Sequence, residues 1–223
     1  MPSFVHRGRR MTTGQARAWG RGWSRLGREL GDLPDGPVEL DGWFGRSAPV
    51  VLEIGSGMGE TTARLAAAAP EVNYLAVEVY QPGLAQLLMR AEELELANLR
   101  LVRGDAVVLL DKHIAPGSLA EVRIFFPDPW PKTRHHKRRL IQPGFVALVA
   151  SRLAGGGLLR LATDWAHYAE QMLAVCQAEP ALRNRYAEWA PRPEWRSVTK
   201  FEGRAEQAGR TSRDLVFERC DSE

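Results

Sequence analysis

Val50-Val51-Leu52-Glu53-Ile54-Gly55-Ser56-Gly57-Met58-Gly59 is the stretch that decides the fold. Five residues of strand character run into three glycines at alternate positions, and residues 60–69 then carry a helical pattern. A strand, a tight glycine turn and a helix make the first half of a βαβ unit. The pattern repeats outward from there. Residues 73–79 read as a strand containing Glu78, Pro82 opens a helix to about residue 96, and 99–102 is a third strand ending near Asp105. A helix at 106–113, a strand at 122–126, a helix at 143–154, a strand at 158–162 and a helix at 165–179 follow. Residues 180–212 lack a clear period, and 214–219 form a last strand. Alternation of this kind predicts an α/β fold: a mostly parallel central sheet with helices on both faces. Residues 41–223 are expected to form that domain. Residues 1–40 are expected to be an Arg-rich extension, mobile over its first ten residues, with one short helix capped by Thr12.

Composition bounds the function. At 223 residues, 44% hydrophobic and 26% charged, the chain has the make-up of a globular protein with a sizeable core. No apolar run approaches the roughly 18 residues of a membrane span. The Arg-rich N-terminus lacks the apolar region of a signal peptide. Cys176 and Cys220 lie far apart without metal-ligand spacing, so they read as plain thiols in a reducing cytoplasm.

Charge is concentrated in two places. Residues 1–30 hold seven arginines against Glu29, a net of +6, and residues 132–139 add +5. Taking those from the formal +3 leaves −8 for the rest. Two basic segments on an acidic body are an electrostatic footprint for a polyanion.

The second segment adjoins the other decisive stretch, Ile124-Phe125-Phe126-Pro127-Asp128-Pro129-Trp130-Pro131-Lys132. Each proline fixes its own φ and restricts the residue before it. Asp128 is therefore presented on a stiff backbone at a strand end. The alternative is a proline-stiffened loop with a solvated basic face. Trp130 either stacks on a base or packs under the loop. His135 and His136 are adjacent in a cationic block, which is a poor divalent-metal site, so no metal is expected.

In such a fold, ligands bind at the carboxyl ends of the strands. Gly55, Gly57 and Gly59 let a ligand approach the backbone, Glu78 can accept from a ribose diol, and Asp105 can reach an adenine edge. An acid on the second strand also occurs in NAD-binding folds, which leaves an NAD-dependent oxidoreductase as a rival. Glu53 favours the other side, because a carboxylate suits a cationic sulfonium or amino-acid ligand better than a pyrophosphate.

Over nearly its whole length the sequence resembles the bacterial tRNA (guanine-N7)-methyltransferases. The matching segments are Ser3-Phe4-Val5, Arg10-Met11-Thr12, Glu53-Ile54-Gly55 through Gly59, Val77-Glu78-Val79-Tyr80, Phe126 through Lys132, Arg134-His135-His136-Lys137-Arg138-Arg139, Thr163-Asp164 and Thr199-Lys200-Phe201-Glu202. Thr133, Ala205 and Arg213 depart from the family's usual residues. The resemblance implies a Rossmann-like class I methyltransferase that moves a methyl group from S-adenosylmethionine to N7 of a guanine in the tRNA variable loop. It implies Glu53, Glu78, Asp105 and Asp128 as cofactor-contacting acids. Lys132, Asp164 and Thr199, Lys200, Phe201 and Glu202 are implied as contacts to the base, and Arg134 to Arg139 as contacts to RNA. The partner is then tRNA, with the enzyme acting as a monomer or homodimer. A methyltransferase of another RNA, or a non-catalytic RNA-binding protein on the same scaffold, is the alternative. Guanine N7 carries a lone pair and no proton, so the chemistry needs alignment and charge stabilisation, with Asp128 orienting the base, and no general base.

Overall fold

The computed structural model describes residues 10–196 and 211–220. Its eight strands form a mostly parallel sheet, and the chain divides into two compact units at Leu119 and Ala120.

The first unit carries the glycine turn. Its strands β1 (Gly27–Glu29), β2 (Val50–Ile54), β3 (Asn73–Glu78) and β4 (Leu99–Arg103) lie in the order β1-β4-β3-β2. The pairs β1–β4, β4–β3 and β3–β2 are parallel, with Leu52 opposite Leu75 and Leu75 opposite Arg100. Every residue of β2 is buried, as an apolar run in a parallel sheet requires. The helices are α1 (Thr13–Leu26), α2 (Leu40–Phe44), α3 (Glu60–Ala68), α4 (Gln81–Glu93) and α5 (Ala106–His113).

Residues 13–29 do not stand apart as an extension. Thr12 and Gln15 form a capping box at the start of α1, and Gln15, Ala18 and Leu26 are buried on it. The helix packs against α4, Trp19 and Trp23 stack at 3.9 Å, and the chain then adds β1 to the edge of β4. A three-residue strand has no period of its own, which is why the sequence did not announce it.

The second unit holds β5 (Leu119–Phe125), which starts at the unit boundary, β6 (Leu153–Thr163), β7 (Leu182–Asn184) and β8 (Arg213–Arg219), in the order β5-β6-β8-β7. Its helices are α6 (Pro143–Arg152) and α7 (Ala166–Gln177), and residues Thr133–Arg138 form a 3-10 turn. β8 runs antiparallel to both β6 and β7. The Phe126 amide donates to the Ala162 carbonyl at 2.8 Å. Asp128 and Asp164 thus follow the ends of two adjacent strands, each two residues beyond this bonded pair.

Candidate functional site

In the first unit the glycine turn is held from three directions. Gly55, Gly57 and Gly59 have φ of 78°, 57° and 69°, the left-handed region where only glycine is free of strain. The amide of Gly55 donates to the Val77 carbonyl at 2.9 Å and that of Gly59 to the Ser56 carbonyl at 2.9 Å. The amide of Gly57 donates to Glu78 Oε2 at 3.0 Å. Glu78 Oε1 also accepts from the amides of Val79 and Tyr80, at 2.7 and 2.9 Å. The carboxylate expected to meet a ribose is therefore also the clasp that joins β3 to the glycine turn. Behind the turn α4 comes very close: a Cβ on Gly83 would lie 2.2 Å from the Gly57 carbonyl oxygen.

The Gly55 and Gly57 amides are thus bonded to β3 and the Gly59 amide within the turn. A Cβ on Gly55 or Gly57 would meet nothing within 4 Å, which leaves the backbone open on that side. Those two properties, an open backbone and a carboxylate beside it, suit an uncharged nucleoside and a cationic tail.

Glu53 is 6% exposed and accepts the Thr62 hydroxyl at 2.7 Å. Asp105 caps α5, accepting from the Val107 amide at 2.7 Å. The cap is a second use for that carboxylate that the strand-end reading had not named.

The second unit carries the other half of the expected residues. Asp128, Lys132 and Asp164 are half-buried or exposed at the ends of β5 and β6. Asp128 lies between two non-glycine residues in the left-handed region, Phe126 at φ 52° and Trp130 at φ 43°. Such residues cost about 1–3 kcal/mol each and persist only where their surroundings over-determine them. The surroundings here are aromatic and cationic. Arg196 lies 5.3 Å from the ring centroid of Phe126. Arg138 lies 5.0 Å from that of Trp130, with His135 edge-on to the same ring at 5.9 Å. Trp130 is therefore packed among its neighbours.

The cationic block does not act as one surface. Arg134 and Lys137 are exposed, and Lys132 with them, while His135, His136 and Arg138 are half-buried. Arg139 is 3% exposed. Its Nε donates to the Pro129 carbonyl at 2.8 Å and its Nη1 to Gln171 Oε1 at 2.6 Å. Its guanidinium lies over the Tyr168 ring at 4.6 Å. The expectation that the whole block faces RNA is corrected at this residue: Arg139 points into the protein, where burial lowers its pKa. Among the described residues no cluster of His, Cys, Asp or Glu could hold a metal ion, and no helix is long and apolar enough to cross a membrane.

Part of the N-terminal basic segment lies on α1. Arg17, Arg21 and Arg25 recur at four-residue spacing, which puts them on one face, and all three are exposed. Arg21 pairs with Glu92 through bonds of 2.9 and 2.6 Å. The predicted base contacts Thr199, Lys200, Phe201 and Glu202 lie outside the described residues.

Arg196 and Asp214 were not foreseen. The Arg196 side chain is fully buried, and it binds Asp214 through both oxygens, Nη2 to Oδ2 at 3.0 Å. Eighteen residues separate the partners, and Arg196 is one of several arginines in its segment, so nothing local marked the pair.

Residues 47–215 match the model of a family described as "Putative methyltransferase". The chain is 52% identical over 221 residues to the tRNA (guanine-N(7)-)-methyltransferase of Streptomyces coelicolor, covering 97% of this chain and 80% of that protein. It is 52% identical over 218 residues to the enzyme of the same name from Bordetella parapertussis, covering 98% and 85%. Among solved structures, the 16S rRNA methyltransferase KamB superposes with a TM-score of 0.62 at 13% identity, over 87% of this chain and 99% of that one. A 16S rRNA (adenine(1408)-N(1))-methyltransferase from Catenulisporales acidiphilia, solved with its cosubstrate S-adenosylmethionine, gives 0.55 at 16% identity, over 83% and 93%. The structural likenesses establish the class I methyltransferase fold. By the extent and identity of the sequence matches, the chain belongs to the tRNA (guanine-N7-)-methyltransferase family.

Proposed function

We propose that this protein transfers a methyl group from S-adenosylmethionine to N7 of a variable-loop guanine in tRNA, in the cytoplasm. One observation carries the reading beyond the family relationship: Asp128 is held rigidly at a strand end and leads directly into the exposed cations of the 3-10 turn. A fixed carboxylate next to a phosphate-binding surface is what alignment of a base on an RNA backbone needs.

S-adenosylmethionine supplies a methyl group bound to a positively charged sulfur. The new bond joins that carbon to guanine N7, the carbon–sulfur bond breaks, and positive charge passes to the guanine ring. No proton moves in this step. Asp128 accepts hydrogen bonds from the guanine N1 and amino groups, which orients the base and stabilises its growing charge. Lys132, Asp164 and residues 199–202 complete the base contacts. Gly55, Gly57 and Gly59, with Glu53, Glu78 and Asp105, hold the cofactor. Arg134, Lys137 and Arg138 meet phosphates and set affinity more than base choice.

An NAD-dependent reading is disfavoured by the Glu53 carboxylate just ahead of the glycine turn, which is unfavourable beside a pyrophosphate. The test is nucleoside analysis of tRNA after incubation with radiolabelled S-adenosylmethionine. Label in 7-methylguanosine is expected, and label confined to any other nucleoside, or none, would sink the reading.

A further inference from the structure

Three features of the second unit converge on one loop. A block of cations turns its last member inward, a second arginine is buried at the far side of the same loop, and the loop between them holds Asp128. Burying a guanidinium is unfavourable unless its donors are satisfied in good geometry. The partners it is given therefore show what it holds.

Arg139 gives its Nε to the carbonyl of Pro129, the residue that follows Asp128, at 2.8 Å. A segment with prolines at 127, 129 and 131 has few amides to offer. The guanidinium gives the Pro129 carbonyl a donor. Its other end is fixed on α7 by Gln171 at 2.6 Å, His167 at 3.1 Å and the face of Tyr168. Gln171 is itself held, donating to the Ile141 carbonyl at 3.1 Å. On the other side, Arg196 lies against the rings of Phe125 and Phe126, both at 5.3 Å, and Asp214 on β8 grips it through two oxygens. The loop is thereby tied to α7 after Asp128 and to β8 before it.

We propose that Arg139 is a positioning residue for Asp128, with Arg196 as its counterpart, and that neither contacts RNA. The inference rests on the proposed role of Asp128. Arg139 acts through the Pro129 carbonyl: the guanidinium fixes the backbone, and the backbone fixes the carboxylate.

The test is a double-mutant cycle on methyl transfer to tRNA, with Arg139→Gln, Asp128→Ala and the two combined, each measured for kcat, KM and the salt dependence of tRNA binding. Arg139→Gln is expected to lower kcat by 10-fold or more, since a displacement of about 1 Å can cost on the order of 100-fold. The slope of log K against log salt stays at the wild-type value. Added to Asp128→Ala, Arg139→Gln causes little further loss, because what it positions is gone. Arg139→Lys, which keeps the charge and loses the fork, is expected to recover only part of kcat. A slope lower by about 1 would make Arg139 a phosphate contact instead. Multiplicative losses in the combined variant would overturn action through Asp128. If Asp128→Ala alone is as active as wild type, the parent reading fails and this one with it. Should Arg139→Gln not fold, Gln171→Leu removes the acceptor that aims the guanidinium, and the same fall in kcat at constant slope is expected. Wild-type kcat in that variant would overturn the proposal.

Discussion

Thr62 donates its hydroxyl to the carboxylate of Glu53 at 2.7 Å, with both side chains buried. The bond ties α3 to β2 directly behind the glycine turn. Replacing Thr62 by Val keeps the shape and removes the donor, so a buried carboxylate loses a partner. Unfolding free energy is expected to fall by about 1–3 kcal/mol, read as a lower urea midpoint at unchanged m-value. An unmoved midpoint would show that the hydroxyl contributes nothing.

Gly83 sets two effects against each other. It lies in the first turn of α4, where alanine is the better helix former by up to about 1 kcal/mol. Its Cβ, however, would lie 2.2 Å from the Gly57 carbonyl oxygen, and backbone on both sides cannot yield cheaply. The clash wins. Gly83→Ala is expected to destabilise by about 1–3 kcal/mol and to weaken S-adenosylmethionine binding at least tenfold in calorimetric titration. Equal or greater stability with intact binding would mean that the turn is looser than its geometry.

Arg134 and Lys137 are exposed members of the cationic block. Their joint replacement by Ala is expected to flatten the dependence of log K on log salt for tRNA by about 1–2, each phosphate contact contributing about 0.7–0.9. The kcat at saturating tRNA stays near wild type. Unchanged salt dependence would remove this turn from the interface.

His135 adds a pH term. Desolvation first, then Arg138, Arg134, Lys132 and Lys137, hold its pKa below the ordinary histidine value. The folded protein therefore resists protonation that the unfolded chain accepts near pH 6.5. This group's contribution to stability is complete above that value and is lost as the pH falls below it. Phosphates brought by tRNA act in the opposite direction and favour the imidazolium. Lowering the pH from 7 to 6 should therefore strengthen tRNA binding by wild type more than by His135→Asn, measured at fixed salt. Parallel pH profiles for the two proteins would count against it.

Cys176 is fully buried on α7, and burial pushes its thiol up to about 12. Cys220 is only half-buried. The native protein should expose one reactive thiol to iodoacetamide and the denatured protein two, as counted by mass spectrometry. Two fast modifications in the native state would contradict the packing of α7.

Much of this was legible in the sequence because it depends on local pattern. The apolar run of β2, the glycine turn and the helix at 106–113 follow from period and turn chemistry, and α5 spans the predicted residues. What escaped depends on pairing across distance. Gly27–Glu29 becomes a strand only because β4 offers it an edge. Arg139 stands in a row of cations with nothing in the row to mark it, and only the fold brings Gln171 and Pro129 to it. Arg196 and Asp214 likewise meet through the register of β8. Conversely, the left-handed backbone at Phe126 and Trp130 was concealed by side chains that ordinarily avoid it.

The three committed glycine amides bear on which small molecules can compete for the cofactor site. Bonded to Val77, Glu78 and Ser56, these amides are not offered to an anion, and the Glu78 carboxylate beside them repels phosphate groups. Inhibitors built on nucleotide phosphates would discard the chemistry this pocket rewards. Compounds that keep a neutral nucleoside and a positively charged tail would retain it, and they would be distinguished by charge from ligands of the dinucleotide-binding relatives of this fold.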